Sequence, residues 1–196
     1  MLSRHLRVRT LAIVAPLAAA VTLVVPGLAG ADGSAPPAGA NVETVHMEVV
    51  HHALKFVAPK TITEGDYLEV VNDTKASEVG PHTFSLITKG SVPKTANARK
   101  NCFTPKHICM AIAKWHGAKG EGPPKINPVD VGAEGWSTMG SISKKGDSWF
   151  TGSKPKASIV QQVLANPGTS PKTIYFVCAI HPWMHGQITV LPAPAG

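Results

Sequence analysis

The chain has 196 residues, of which 43% are apolar and only 16% are charged, and it is rich in glycine (18) and proline (17). This length suits one domain of ordinary size, and the composition favours short strands and turns over long charged helices. The formal net charge of +7 is not arranged in basic runs interleaved with aromatic residues, so the sequence lacks the pattern of a nucleic-acid-binding protein.

Residues 1–31 have the pattern of a secretory signal peptide. MLSRHLRVRT carries three arginines and no acidic residue, an apolar run follows, and LAGADG contains an A-x-A cleavage signal. An uncleaved membrane anchor is the alternative, because residues 11–30 are nearly long enough to span a bilayer, but two prolines and the small-residue end argue against it. Cleavage near Ala31 would remove three arginines and no acid, giving a net charge of +4. We therefore expect a secreted or periplasmic protein with no membrane span.

Residues 32–42 are small and rich in proline and glycine, which is typical of a flexible leader, and a single domain is predicted over residues 43–196. Apolar alternation and β-forming residues predict strands in both halves of that domain. These strands are 45–50, the segment LKFVAPKTI, 67–72, 83–87, SIVQQVL at 158–164, TIYFVC at 173–178 and GQITVLP at 186–192. The predicted fold is an all-β, antiparallel Greek-key β-sandwich.

Between these groups of strands, residues 91–156 lack regular apolar patterning and are predicted to form a long irregular insertion, in which HICMAIAKWHG is compatible with a short helix. Cys102 and Cys109 lie close together around Pro105, which favours a turn that can bring them together in an oxidising compartment. The sequence leaves open whether these two cysteines pair, or whether one pairs with Cys178. In the first case Cys178 is an exported free cysteine, which a metal–thiolate bond would explain.

Candidate metal ligands are concentrated in YFVCAIHPWMHGQITV at residues 175–190. A thiolate and two imidazoles with a weak axial methionine form the ligand set of a blue-copper site. Cys178, His181 and Met184 are spaced three residues apart, so that one loop can surround one ion. The second imidazole must come from elsewhere, and His82, which follows Gly80-Pro81 before a predicted strand, is the best candidate.

Other residues compete for these roles. His185 is an alternative fourth ligand, but adjacent side chains in an extended loop diverge, so Met184 and His185 should not both face the ion. His46 with one of His51 and His52 is a weaker candidate for a second metal site, because neighbouring residues of a strand point to opposite faces. The histidines that flank the predicted helix, at 107 and 116, are weaker candidates still. Surface histidines are the default interpretation of all these isolated positions.

Three motifs in this order resemble the cupredoxins, the family of small blue-copper proteins. CAIHPWMHG resembles an amicyanin- or plastocyanin-type ligand loop, FVAPKTITEGDYLEVVN followed by PHTF resembles the family's first ligand region, and PGT in VLANPGT resembles the turn before its cysteine strand. The resemblance covers two blocks, about 43–88 and 158–192. It implies one type 1 copper site with the ligands His82, Cys178, His181 and Met184, and it favours Met184 over His185.

The chain departs from the family pattern at two positions near these ligands. Thr83 stands where the family commonly has asparagine, and Ile180 where amicyanin-like loops often have proline. The Thr83 backbone N–H can still bond the cysteine sulfur, and its hydroxyl can tie the two ligand loops together. Such changes would alter the reduction potential of the copper without changing the ligands.

The resemblance implies a monomeric carrier of single electrons, rather than an enzyme, that uses Cu(I)/Cu(II) and meets redox partner proteins transiently. Pro182 and Trp183 are candidates for an apolar docking patch. One alternative is an extracytoplasmic protein for copper delivery, storage or buffering that uses the same ligands. A copper-dependent oxidoreductase is less favoured, because such enzymes add all-histidine copper sites, often through H-x-H motifs, and the sequence contains no H-x-H motif.

Overall fold

The structure is a computed structural model, and it describes residues 35–119, 135–152, 154, 156–165 and 167–194. The predicted signal peptide and part of the insertion lie outside these residues. The strands are β1 Val42–Val50, β2 Ala53–Val57, β3 Thr61–Thr63, β4 Tyr67–Asn72, β5 Thr83–Ile87, β6 Ser148–Phe150, β7 Ser158–Gln162, β8 Lys172–Val177 and β9 His185–Leu191. The helices are α1 Ala76–Val79, α2 Ala96–Lys100 and α3 Ile108–Trp115. No helix in this part of the chain is both long and apolar enough to cross a membrane.

The strands form two sheets, with the orders β2-β1-β4-β7 and β3-β9-β8-β5-β6. The predicted β-sandwich is therefore confirmed, although its sheets are mixed rather than purely antiparallel. β1 pairs with β4 and β3 pairs with β9 in parallel. The chain leaves the first sheet after β2, adds β3 to the second sheet and returns as β4, and such a crossover places β4 beside β1 in the same direction.

The space between the sheets is filled by apolar side chains from alternate positions of the strands. Phe84 of β5 lies 4.8 Å from Phe176 of β8 and 5.8 Å from Phe56 of β2, measured between ring centroids. Trp136, which belongs to the predicted insertion, lies 5.0 Å from Phe84 and donates its indole N–H to the carbonyl oxygen of Leu68 at 3.3 Å. The insertion thus contributes an aromatic ring to the main core.

Another part of the insertion, from about residue 102 to the end of α3, covers the outer face of the second sheet. Ile87, Val177 and Ala179 of that face are buried against α3 and the segment before it. The disulfide between Cys102 and Cys109 joins this segment to α3, so the first of the predicted cysteine arrangements is confirmed and Cys178 is free. The predicted helix is also confirmed, whereas β6 falls in a stretch too short and irregular to predict.

The interpretation of His51 and His52 as strand residues is wrong. They form the turn between β1 and β2, with positive φ angles of 49° and 63°, because a two-residue hairpin loop needs this conformation at both positions. The turn ends the alternation that placed their side chains on opposite faces. The His46 side chain contacts Asp73, with Nδ1 2.6 Å from the carboxylate.

Candidate metal centre

Two neighbouring strands of the second sheet bring the predicted ligands together. His82 immediately precedes β5, and Cys178 immediately follows β8. Because β5 and β8 pair in antiparallel orientation, the start of one and the end of the other lie at the same end of the sandwich. The long stretch of chain between the two residues therefore does not separate them in space.

The loop after β8 is closed by its own backbone. The Met184 N–H donates to the carbonyl oxygen of His181 at 2.8 Å, and the Cys178 N–H donates to that of Met184 at 2.9 Å. This tight turn holds His181 against Cys178 and leads directly into β9. The three-residue spacing seen in the sequence is thus the spacing of a hydrogen-bonded loop.

The side chains of His82, Cys178 and His181 form a buried cluster. The Cys178 sulfur lies 3.8 Å from His82 Nδ1 and 3.6 Å from His181 Nδ1, and the two nitrogens are 3.1 Å apart. Among the described residues, this is the one group of three or more histidine, cysteine or acidic side chains with the geometry to hold a metal ion. It contains no carboxylate.

The distances are close to those around one metal ion, and the chemistry of the ligands fits copper. Metal–nitrogen and metal–sulfur bonds of about 2.0–2.3 Å place the ligand atoms of a trigonal plane roughly 3.5 Å apart between nitrogens and roughly 3.8 Å from nitrogen to sulfur. One soft thiolate with two imidazoles suits a metal that alternates between Cu(I) and Cu(II). The cluster fits one type 1 copper site.

Hydrogen bonds behind His82 select its ligand nitrogen. His82 Nε2 lies 2.9 Å from the hydroxyl oxygen of Thr74, and that hydroxyl donates to Asn72 Oδ1 at 2.7 Å. Since the Thr74 hydrogen is used on Asn72, His82 Nε2 must be the donor to Thr74, which leaves Nδ1 as the free lone pair. The His82 backbone N–H donates to Thr151 Oγ1 at 3.0 Å. Sequence reasoning missed Thr74, Asn72 and Thr151, because nothing in the sequence places them behind a ligand.

Burial keeps both histidines neutral and ready to bind a metal. Desolvation, with a smaller contribution from the neighbouring His181, lowers the pKa of His82 from 6.5 to about 4. Desolvation likewise lowers the pKa of His181, against the opposing effect of a backbone hydrogen bond with Val79. A neutral imidazole offers the lone pair that a metal ion requires.

Thr83 connects the two ligand loops, as the sequence predicts. Its backbone N–H donates to the Cys178 sulfur at 3.4 Å, and its hydroxyl oxygen accepts the Ala179 N–H at 2.8 Å. Complete burial raises the pKa of the Cys178 thiol, while hydrogen bonds from the Thr83, His181 and Ile180 backbones and from the Thr83 side chain act to lower it. A bound cation would shift this balance to the thiolate, because a metal ion deprotonates a coordinating thiol.

Met184 and His185 occupy different environments. Met184 is buried in the main core together with Cys178, whereas His185 is exposed and begins β9 opposite Val177. Burial, followed by the nearby charges of Arg99 and Lys94, lowers the pKa of His185. These positions favour Met184 as the axial ligand, and that role stays a prediction.

Comparisons with known proteins returned distant structural similarities only. No protein-family model matches the sequence, and no match was found among curated proteins. A structure of auracyanin B has a TM-score of 0.40 at 14% identity, over 83% of this chain and 96% of that chain. Auracyanin A, a "blue" copper protein from Chloroflexus aurantiacus, has a TM-score of 0.40 at 13% identity, over 78% of this chain and 99% of that chain. The McoA multicopper oxidase from Aquifex aeolicus has a TM-score of 0.36 at 10% identity, over 81% of this chain and 31% of that chain.

The fold and the ligand cluster are cupredoxin-like. Similarities as weak as these do not transfer a function, so this conclusion rests on the two sheets and the His82–Cys178–His181 geometry. It confirms the resemblance to the cupredoxins noted in the sequence. The finer match of the ligand loop to the amicyanin type stays a prediction.

Proposed function

We propose that the protein is an extracytoplasmic type 1 copper protein that carries one electron at a time. The observation that supports this proposal is the buried cluster of one thiol and two imidazoles, held by the ends of two paired strands. Bound copper would supply the one-electron couple. The chain's part is to hold His82, Cys178 and His181 in one arrangement for both oxidation states, so that little reorganisation accompanies electron transfer.

The ligand loop also offers a route from the cluster to the surface. His181 is 9% exposed, and the ring of Trp183, which is 53% exposed, lies 5.2 Å from the His181 ring. A small apolar contact beside a ligand suits the brief encounters of redox partners, whose interfaces are small. We propose that this part of the loop is where partner proteins dock.

Spectroscopy of the copper-loaded protein tests the proposed site. We expect an intense visible thiolate-to-Cu(II) absorption band with a matching EPR signal, and we expect both to be lost in Cys178→Ala and His82→Ala. His107→Ala is the matched control, because this histidine bonds the Thr104 hydroxyl outside the cluster, and it should retain the band. A colourless protein that prefers zinc would contradict the proposal.

A second experiment separates electron transfer from copper delivery. The burial of all three ligands would slow the escape of the metal, whereas a delivery protein must release it readily. We therefore expect copper transfer to a competing chelator to be much slower than electron exchange between the reduced and oxidised forms. Rapid loss of copper with slow electron exchange would favour delivery, storage or buffering.

A further inference from the structure

A buried row of hydroxyl groups runs along the outer face of β5 beneath the insertion. Thr83 and Ser85 are two residues apart on this strand and therefore share one face. Ser148 of β6 stands directly opposite Ser85, and its hydroxyl oxygen lies 2.7 Å from that of Ser85. His116, at the end of α3, places Nε2 2.7 Å from the Ser148 hydroxyl oxygen. All four residues are at most 3% exposed.

The direction of every hydrogen bond in this row follows from counting hydrogens. The Ser85 hydroxyl donates to Thr83 Oγ1 at 3.1 Å, and a serine hydroxyl has one hydrogen to give. Ser148 must therefore donate to Ser85. Its own hydrogen is then used, so Ser148 must accept a hydrogen from His116 Nε2. The row is a one-way chain from His116 to Thr83.

The chain ends at the thiol of the ligand cluster. Thr83 Oγ1 accepts hydrogen bonds from Ser85 and from the Ala179 N–H, which uses the acceptor capacity of its oxygen. These bonds hold Thr83 in place, and the Thr83 backbone N–H donates to the Cys178 sulfur at 3.4 Å.

We propose that His116 is a positioning residue for the metal centre, which acts through Ser148, Ser85 and Thr83 to strengthen hydrogen bonding to the Cys178 sulfur. The inference rests on the proposed function and assigns the insertion a role in it: α3 carries the first donor, and β6 carries the second. Each donor polarises the next one, because hydrogen bonds in series strengthen one another in a medium of low dielectric constant.

The expected effect is a higher reduction potential of the bound copper. The sulfur carries more negative charge when the metal is reduced, so hydrogen bonds donated to it stabilise the reduced form more than the oxidised form. Hydrogen bonding around the cysteine sulfur is a recognised determinant of the potential of such sites. Breaking this series of hydrogen bonds should therefore lower the reduction potential and favour Cu(II).

Reduction potentials of a graded series of variants test the chain. Ser85→Ala should lower the equilibrium constant for reduction by about threefold, and Ser148→Ala and His116→Phe by progressively less, since polarisation fades along the chain. A tenfold change corresponds to about 59 mV for one electron. Ser91→Ala is the matched control, because it removes a hydroxyl pair with Thr88 elsewhere, and it should leave the potential unchanged.

A double-mutant cycle excludes a merely structural effect. His116→Phe should produce no further shift in a Ser148→Ala background, because the path is already broken. His116→Gln, which can still donate an N–H, should restore most of the wild-type potential, and it serves as a second variant if His116→Phe folds poorly. Equal shifts from His116→Phe with and without Ser148, or shifts no larger than that of Ser91→Ala, would overturn the inference.

The metal-free protein provides an independent measurement. Long-range ¹H–¹⁵N NMR at mildly alkaline pH reports which nitrogen of His116 carries the proton, and the chain requires Nε2. Protonation at Nδ1 would overturn the inference without any bearing on copper. Conversely, absence of the blue absorption band in the wild type would overturn the proposed function, so the two failures are distinguishable.

Discussion

Met184 and His185 show how one residue step changes the chemistry available at this loop. Met184 is 1% exposed and packs with Cys178, while His185 opens β9 on the other side of the chain. We expect Met184→Leu to raise the reduction potential, because loss of a fourth donor destabilises Cu(II) more than Cu(I), and to shift the visible spectrum. His185→Ala should leave both nearly unchanged. Voltammetry and absorption spectra check this, and the reverse pattern would make His185 the axial ligand.

His82 should make the metal-free protein lose stability as the pH falls. Its pKa is about 4 in the fold, against an ordinary value of 6.5, so the unfolded chain binds a proton first. The contribution of the neutral His82 ring to the free energy of unfolding is therefore complete above about pH 6.5. It is lost progressively down to about pH 4, with an upper limit of about 3 kcal/mol. Burial lowers the pKa of His181 too, which adds to the same trend.

Denaturant unfolding of the metal-free protein at several pH values measures this effect. The control is His82→Asn, which removes the titrating ring and should show a shallower decline in the free energy of unfolding between pH 6.5 and 4. Identical pH dependence in the two proteins would mean that His82 binds a proton as readily in the fold as in the unfolded chain.

At the scale of single residues, the sequence placed His82, Cys178 and His181 together, as the structure does. Their role as copper ligands stays a prediction, and their surroundings were predicted poorly. Cys178 and His181 were predictable because one short loop holds them, and His82 because it precedes a strand. Thr74 and Ser148 were not predictable, since a serine or threonine carries no periodic signal and takes its role from the strand that lies beside it. His116 looked like one isolated histidine among several.

At the scale of elements, two glycines, Gly140 and Gly146, bring the chain just before β6 against β5. Gly140 donates its N–H to the Leu86 carbonyl oxygen at 3.0 Å, and the Leu86 N–H donates to the carbonyl oxygen of Asp147 at 2.8 Å. A Cβ atom on Gly146 would lie 2.7 Å from the Leu86 carbonyl oxygen and 2.6 Å from Gly140 Cα. This close approach of backbones sets the position of β6, which follows immediately.

We expect Gly146→Ala to destabilise the protein by about 3 kcal/mol, because the rigid backbone atoms around it cannot yield without a shift of β6. Gly90→Ala is the matched control, since a Cβ there meets no atom within 4 Å, and it should change stability by less than about 0.5 kcal/mol. Thermal or denaturant unfolding measures both. A stability for Gly146→Ala within error of Gly90→Ala would show that the packing around Gly146 is loose.

The insertion also marks the limit of sequence prediction at this scale. In the strands of the sandwich, apolar and polar residues alternate or β-forming residues are frequent, and both patterns are local signals in the sequence. In residues 91–156 the informative positions are glycines, Trp136 and Trp149, and their burial depends on contacts with distant strands. The parallel pairing of β1 with β4 was missed for a similar reason, because the direction of a pair depends on the path of the chain between its strands.

At the scale of the whole molecule, the sandwich presents its ligand loop at one end, and the chain that is predicted to remain after cleavage near Ala31 has a net charge of +4. Two copies that exchange an electron must bring these loops together while their charges repel each other. Salt screens that repulsion. The rate of electron self-exchange should therefore rise with ionic strength. We expect the apolar contact at Trp183 to stabilise the transient complex of the two copies.

We expect Trp183→Ala to slow self-exchange about tenfold at constant reduction potential, because about 1.4 kcal/mol of lost contact corresponds to that factor. Ile142→Ala is the matched control: Ile142 is 54% exposed, like Trp183, but lies near Ser91 and Pro93 in the insertion. NMR line broadening in mixtures of the reduced and oxidised protein gives the rate directly, because one molecule of the protein is the electron donor and another is the acceptor. Equal slowing by both substitutions, or a rate that falls as salt is added, would place the contact elsewhere on the surface.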